Sequence, residues 1–182
     1  MPKQQFLATI LVAILSAATA GCVSVAPQRP NDIPASLSVS SDQTLTQQLH
    51  ATGVQIYRCE AAQGDPARFE WSFKQPEATL ATKAGRNAGK HYGGPTWEAN
   101  DGSKVTGEVI ARDNSPASDA IPWLLLAAKT TSGTGVFSAV KSIQRLHTAG
   151  GVAPVGGCSQ PQAGQELRVA YSADYLFYAA KP

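Results

Sequence analysis

The side chains best suited to chemistry lie together in His91-Tyr92-Gly93-Gly94-Pro95-Thr96-Trp97-Glu98. An imidazole and a carboxylate facing one cavity can work as a general acid/base pair, so His91 and Glu98 are the first residues to consider. The rings of Tyr92 and Trp97 beside them could stack on a sugar or another flat ligand. Gly93-Gly94-Pro95 supplies a turn able to bring these groups onto one cavity. The plainer reading is a structural corner, with Trp97 in the core and Glu98 in a surface ion pair, and the sequence favours it. His91, Tyr92, Trp97 and Glu98 therefore stand as candidate ligand-binding residues, and no residue is assigned a catalytic role.

The rest of the chain offers little reactive chemistry. His50 and His147 are far from His91 in sequence, so a metal or catalytic trio would need three separate strands to converge. Asp65, Asp101, Asp113, Asp119 and Asp174 stand singly and form no calcium loop. Gly133-Thr134-Gly135-Val136-Phe137-Ser138 lacks the last glycine of a dinucleotide fingerprint and reads as a turn between strands. The sequence contains no nucleophile elbow, phosphate-binding loop or zinc-protease helix motif. No metal site and no cofactor is expected.

The cysteines say where the chain goes. Lys3 followed by an uncharged apolar run over residues 6–18 has the form of a signal peptide, too short for a span of about 20 apolar residues. Ala18-Thr19-Ala20 is a site for ordinary cleavage, whereas Thr19-Ala20-Gly21-Cys22 resembles a bacterial lipoprotein box in which the Cys22 thiol is acylated. With three cysteines, plain secretion would leave Cys22 free on an exposed tail. Lipidation by fatty acyl (palmitate-type) chains consumes that thiol and leaves Cys59 and Cys158 to form a disulfide, the preferred state in an oxidising compartment. The expected product is anchored in the membrane through its N-terminal lipid, at the outer membrane for want of an Asp after Cys22, with a secreted or periplasmic form as the alternative. Lys+Arg of 15 against Asp+Glu of 13 leaves no charge surplus for nucleic acid.

These groups must be positioned by strands. Residues 1–21 read as signal peptide, 22–36 as a Pro-rich tether and 37–182 as one domain. Within the domain, short β-rich runs are broken by turn signals about every ten residues. Runs 45–50 and 54–59 flank a break at 51–53, and Phe69, Trp71 and Phe73 alternate onto one face of 68–74. Asn100-Asp101-Gly102-Ser103 joins 96–99 to 104–111 as a hairpin. The apolar run 121–128 suits a strand buried on both faces, and in 168–180 Tyr175 and Phe177 alternate with Leu176 and Tyr178. Residues 136–147 fit either a helical stripe or a strand, and their composition favours strand. About nine strands make an all-β, single-domain sandwich or barrel of mainly antiparallel strands, two forms the sequence does not separate.

The stretches GVQIYRCEA (53–61), HYGGPTWEANDGSKVTG (91–107), IPWLLL (121–126), SIQRLHTAGG (142–151) and YSADYLFYAA (171–180) carry a resemblance. They look like the domain of unknown function 3455 family, found in exported proteins of bacteria and fungi. The resemblance implies one β-rich exported domain with Cys59 and Cys158 at matching places, and carries no catalytic residues across. His147 stands where the pattern has Asn, which counts against an essential imidazole there, and Gly93 stands where Ala is more usual. The favoured function is a cell-envelope lipoprotein whose domain binds a small molecule or an envelope macromolecule, or has a structural role. The alternative is a small extracytoplasmic enzyme acting on a carbohydrate or cell-wall component through His91 and Glu98. An exposed strand edge leaves an assembly subunit as a third reading.

Overall fold

The computed structural model describes residues 27, 28 and 30–182, so the export segment and Cys22 lie outside the described residues. Eight strands follow in order: β1 (Gln43–Ala62), β2 (Asp65–Ala81), β3 (Asn87–Tyr92), β4 (Thr96–Ala99), β5 (Lys104–Asp113), β6 (Trp123–Ser132), β7 (Val140–Gly150) and β8 (Glu166–Ala180). Each pairs antiparallel with the next, and β8 returns to pair with β1, so the sheet closes into a barrel. The all-β reading holds. Eight strands enclose an interior that side chains can just fill, or that can hold one small ligand.

Among the described residues there are eight strands, because residues 51–53 do not break the chain but lie within β1, while residues 87–92, marked by no run in the sequence, form β3. A Cβ on Gly53 would run into the backbone of Glu77 and Ala78, so this glycine lets β1 and β2 approach closely. The segment 136–147 is a turn up to residue 139 and strand from Val140. The 100–103 hairpin forms as expected between β4 and β5.

Alternation divides the apolar residues between two clusters. Leu49, Leu80, Trp97, Leu126, Ile143 and Phe177 belong to the barrel interior. Leu45, Trp123, Leu125, Leu146, Leu176 and Tyr178 form a second cluster on the outer face with Leu37, from the 3₁₀ turn Ala35–Leu37. This explains why 121–128 is apolar on both faces: Leu124 and Leu126 face inward, while Trp123 and Leu125 meet the N-terminal segment. That segment begins packing before residue 37, for Ile33 rests on the outer cluster. Gln144 Nε2 donates to the Leu37 carbonyl at 2.6 Å, and Ser36 Oγ donates to Asp113 at 2.6 Å.

The two barrel ends differ. At one end the β6–β7 turn folds Phe137 into the interior, where its ring lies 4.5 Å from that of Phe177. Asp101 accepts hydrogen bonds from the Val136 amide at 2.9 Å and from Ser103 Oγ at 2.6 Å, holding this plug in place. At the other end Cys59 and Cys158 form a disulfide that ties the β7–β8 loop to β1. Here the wall is incomplete. β2 pairs with β3 only over residues 78–81, and β4 with β5 only over 104–106, because β3 and β4 are short. Above the 93–95 turn, the upper parts of β2 and β5 therefore flank a notch in the barrel wall.

Candidate functional site

The notch leads to a cavity of about 350 Å³, within the range of small-molecule sites. A shift in the β1–β2 register helps to build it. Tyr57 pairs with Phe73 but Ile56 with Gln75, leaving Lys74 as the extra residue of a bulge. The bulge moves Phe73 onto the same inward face as Ala78 and Leu80, which differ from it in parity. Phe73 and Val109 stand at the mouth, Leu124 and Leu126 form an apolar wall, and Gln55, His91, Arg145 and Tyr175 bring polar atoms to it. A second recess shares Gln55, Phe73, Val109, Leu124 and Arg145 and extends the mouth toward Tyr57 and Pro122.

The chemistry centres on a few groups. The His91 ring stacks on Trp97 at 4.5 Å and 13°, and lies 4.9 Å from Tyr175. Its Nδ1 is 2.8 Å from the Thr96 carbonyl and must donate to it, which makes Nε2 the acceptor of a neutral ring. Burial lowers the His91 pKa to about 3, the Thr96 bond opposing this and Arg145 adding to it. Burial likewise raises the Tyr175 and Tyr171 hydroxyls, and the Arg145 charge pulls both down.

Arg145 donates from Nε and Nη2 to the Pro122 carbonyl, at 3.1 and 2.8 Å. Among the described residues no carboxylate pairs with it, and none lines the cavity. Gln55 Nε2 and Trp97 Nε1 are buried without a hydrogen-bond partner. The Tyr171 and Tyr175 hydroxyls lie near each other and near Arg145, yet neither completes a well-formed hydrogen bond. Each such group costs about 1–3 kcal/mol when left unsatisfied.

The structure splits the four sequence-derived candidates. Register pairs His91 with Trp97 and Lys90 with Glu98, so the first pair faces inward and Glu98 faces out. Outside, Tyr92 donates to Glu98 at 2.8 Å, and Lys104 and Lys90 lie 3.3 and 3.5 Å from the same carboxylate. The Tyr92 hydrogen bond, then the Lys104 contacts, hold the Glu98 carboxyl below its usual range. His91 and Glu98 thus do not share a cavity, and Tyr92 forms no platform with Trp97. The other histidines lie on the outer face, where His50 and His147 approach the two oxygens of Asp174 at 2.8 and 3.0 Å. Among the described residues no group of three or more His, Cys, Asp or Glu is arranged to hold a metal ion.

Sequence reasoning missed Gln55, Phe73 and Arg145 as site residues. One signal was present: Arg145 shares strand parity with the buried Ile143, an unusual place for a cation.

A family model described as a protein of unknown function (DUF3455) matches residues 40–179. No curated protein and no solved structure matches the chain. The matched span reaches from just before β1 to the end of β8 and so comprises the whole barrel.

Proposed function

The chain belongs to this DUF3455 family, and from that premise we propose that it is a cell-envelope lipoprotein whose barrel binds a small, largely apolar molecule. The observation that carries the binding reading is the cavity behind the notch, with apolar walls and buried polar groups that lack partners. Its volume suits one small molecule, and its position lets a ligand enter from the side without the barrel unfolding. The Cys59–Cys158 disulfide is consistent with an exported protein, and Cys22 follows a segment of signal-peptide form. The acylated Cys22 would anchor the barrel at the outer membrane through the tether. The enzymatic alternative lacks its pair, since the barrel wall separates His91 from Glu98.

Binding is tested with N-phenyl-1-naphthylamine, a neutral apolar fluorophore, on the full chain carrying Cys22→Ser to prevent acylation. Saturable fluorescence enhancement that Val109→Trp abolishes by filling the mouth supports the reading. Absence of saturable binding, or binding unchanged in Val109→Trp, overturns it. Acylation is tested separately by metabolic labelling with a fatty-acid analogue, which should mark the chain and not Cys22→Ser.

A further inference from the structure

Within the reading of the barrel as a small-molecule binder, on which this inference rests, the cavity wall is unbalanced. Two unsatisfied donors belong to residues of the lining, Gln55 Nε2 and Trp97 Nε1, and the Tyr175 hydroxyl beside them can donate or accept. Arg145 adds a partly buried cation whose hydrogen bonds go to a neutral carbonyl, and the lining supplies no carboxylate among the described residues. Of the other cations at the opening, Lys74 is paired with Glu166, while Arg112 adds to the same sign of field. His91, held neutral, supplies an acceptor at Nε2 and no second charge.

An interior of this kind repels cations and binds neutral apolar molecules without using its polar groups. A ligand that carries acceptor oxygens and one negative charge on an apolar body would satisfy both parts of the wall. Phe73, Val109, Leu124 and Leu126 would cover the body. The Arg145 guanidinium, which reaches toward the Tyr175 hydroxyl, and the Gln55 Nε2 donor would meet the oxygens. We propose that the cavity selects small apolar carboxylic acids in their ionised form, with Arg145 as the group that recognises the carboxylate. A single half-satisfied guanidinium matches one negative charge, which favours a monoanionic carboxylate over a phosphate dianion.

The test compares acids with their amides on the full Cys22→Ser chain, using 2-naphthoate with 2-naphthamide, 3-phenylpropionate with its amide, and octanoate with octanamide. Each acid–amide pair has one shape and differs in charge. A charge-assisted hydrogen bond predicts an acid preference of roughly 10- to 100-fold in at least one pair. Arg145→Gln should abolish that preference, with the larger loss falling on the acid. If Arg145→Gln does not fold, Arg145→Lys keeps the charge, loses the planar fork, and should retain only part of the preference. Equal binding of acid and amide in the parent chain overturns this inference and leaves the apolar-binding reading standing. Failure of the whole panel and of N-phenyl-1-naphthylamine overturns both. An acid preference unchanged in Arg145→Gln assigns recognition elsewhere and also overturns the inference.

Discussion

His91 makes the barrel sensitive to acid in a way that can be separated from every other titrating group. The ring is buried between Trp97 and Tyr175, its Nδ1 proton is committed to the Thr96 carbonyl, and Arg145 disfavours a second charge nearby. In the unfolded chain it titrates near 6.5, whereas in the barrel it stays neutral to about 3. Between those values the unfolded state binds a proton that the folded state refuses. Stability is therefore full above about pH 6.5 and falls by about 1.4 kcal/mol for each pH unit below it. At pH 4.5 the loss from this residue amounts to about 2.7 kcal/mol, a large part of a typical folding free energy. The comparison is urea unfolding of the parent and His91→Asn at pH 7, 5.5 and 4.5, followed by tryptophan fluorescence. Asn retains a donor for Thr96 but cannot titrate, and its smaller volume should cost about 2 kcal/mol at pH 7. The difference between the two proteins should move by about 2.7 kcal/mol from pH 7 to pH 4.5, closing the gap and reversing it slightly in favour of His91→Asn, while carboxylates contribute equally to both curves. A gap constant within about 0.5 kcal/mol across the range would refute the reasoning. A histidine NMR titration of the parent gives a second check, since the His91 ring should remain neutral at pH 5.

Three further outcomes are expected. Replacing Cys59 and Cys158 together by Ser opens a cross-link between positions 99 apart, and should lower stability by up to about 4–5 kcal/mol, read as a fall in melting temperature that reductant reproduces on the parent. Asp101→Ala should leave the fold intact but release the Phe137 plug, seen as faster hydrogen exchange at the Val136 and Phe137 amides with little change in β8. Glu98→Gln should leave binding in the cavity unchanged within about twofold, because its carboxylate lies on the outer face; a large loss would restore the His91–Glu98 pair as a unit.

The local grammar of the fold was legible in the sequence. Alternation at Phe69, Trp71 and Phe73 and at Tyr175 and Phe177 marked two strands, Asp101-Gly102 marked a hairpin, and the even pair of domain cysteines marked the disulfide. Closure was not legible, because the pairing of β1 with β8 joins segments more than 100 residues apart, and neither strand's pattern names its partner. Gly53 misled for a related reason: a glycine serving a close approach of two strands has the same one-letter signature as one that makes a turn. The candidate site divided because the register of β3 on β4 decides which neighbours share a face. His91 pairs with Trp97, and that single register sends Glu98 to the outside. Arg145 stayed hidden since its interest lies in the carboxylate it does not meet, a property of the assembled wall and not of any motif.

The seam between β1 and β8 also sets the order in which the molecule can come into being. A chain made from its N-terminus presents β1 first, a 20-residue strand whose partner on one side does not exist until the last strand emerges. β2 can join early as a hairpin, but the other edge of β1 must wait for nearly the whole chain, with its hydrogen-bonding groups open to any passing strand. Loop-closure entropy over so long a separation slows the pairing of β1 with β8. The disulfide lies at the end of that seam, linking β1 to the loop that leads into β8. Oxidation after the seam zips would lock it, whereas Cys59 paired prematurely would hold the first strand away from its last partner.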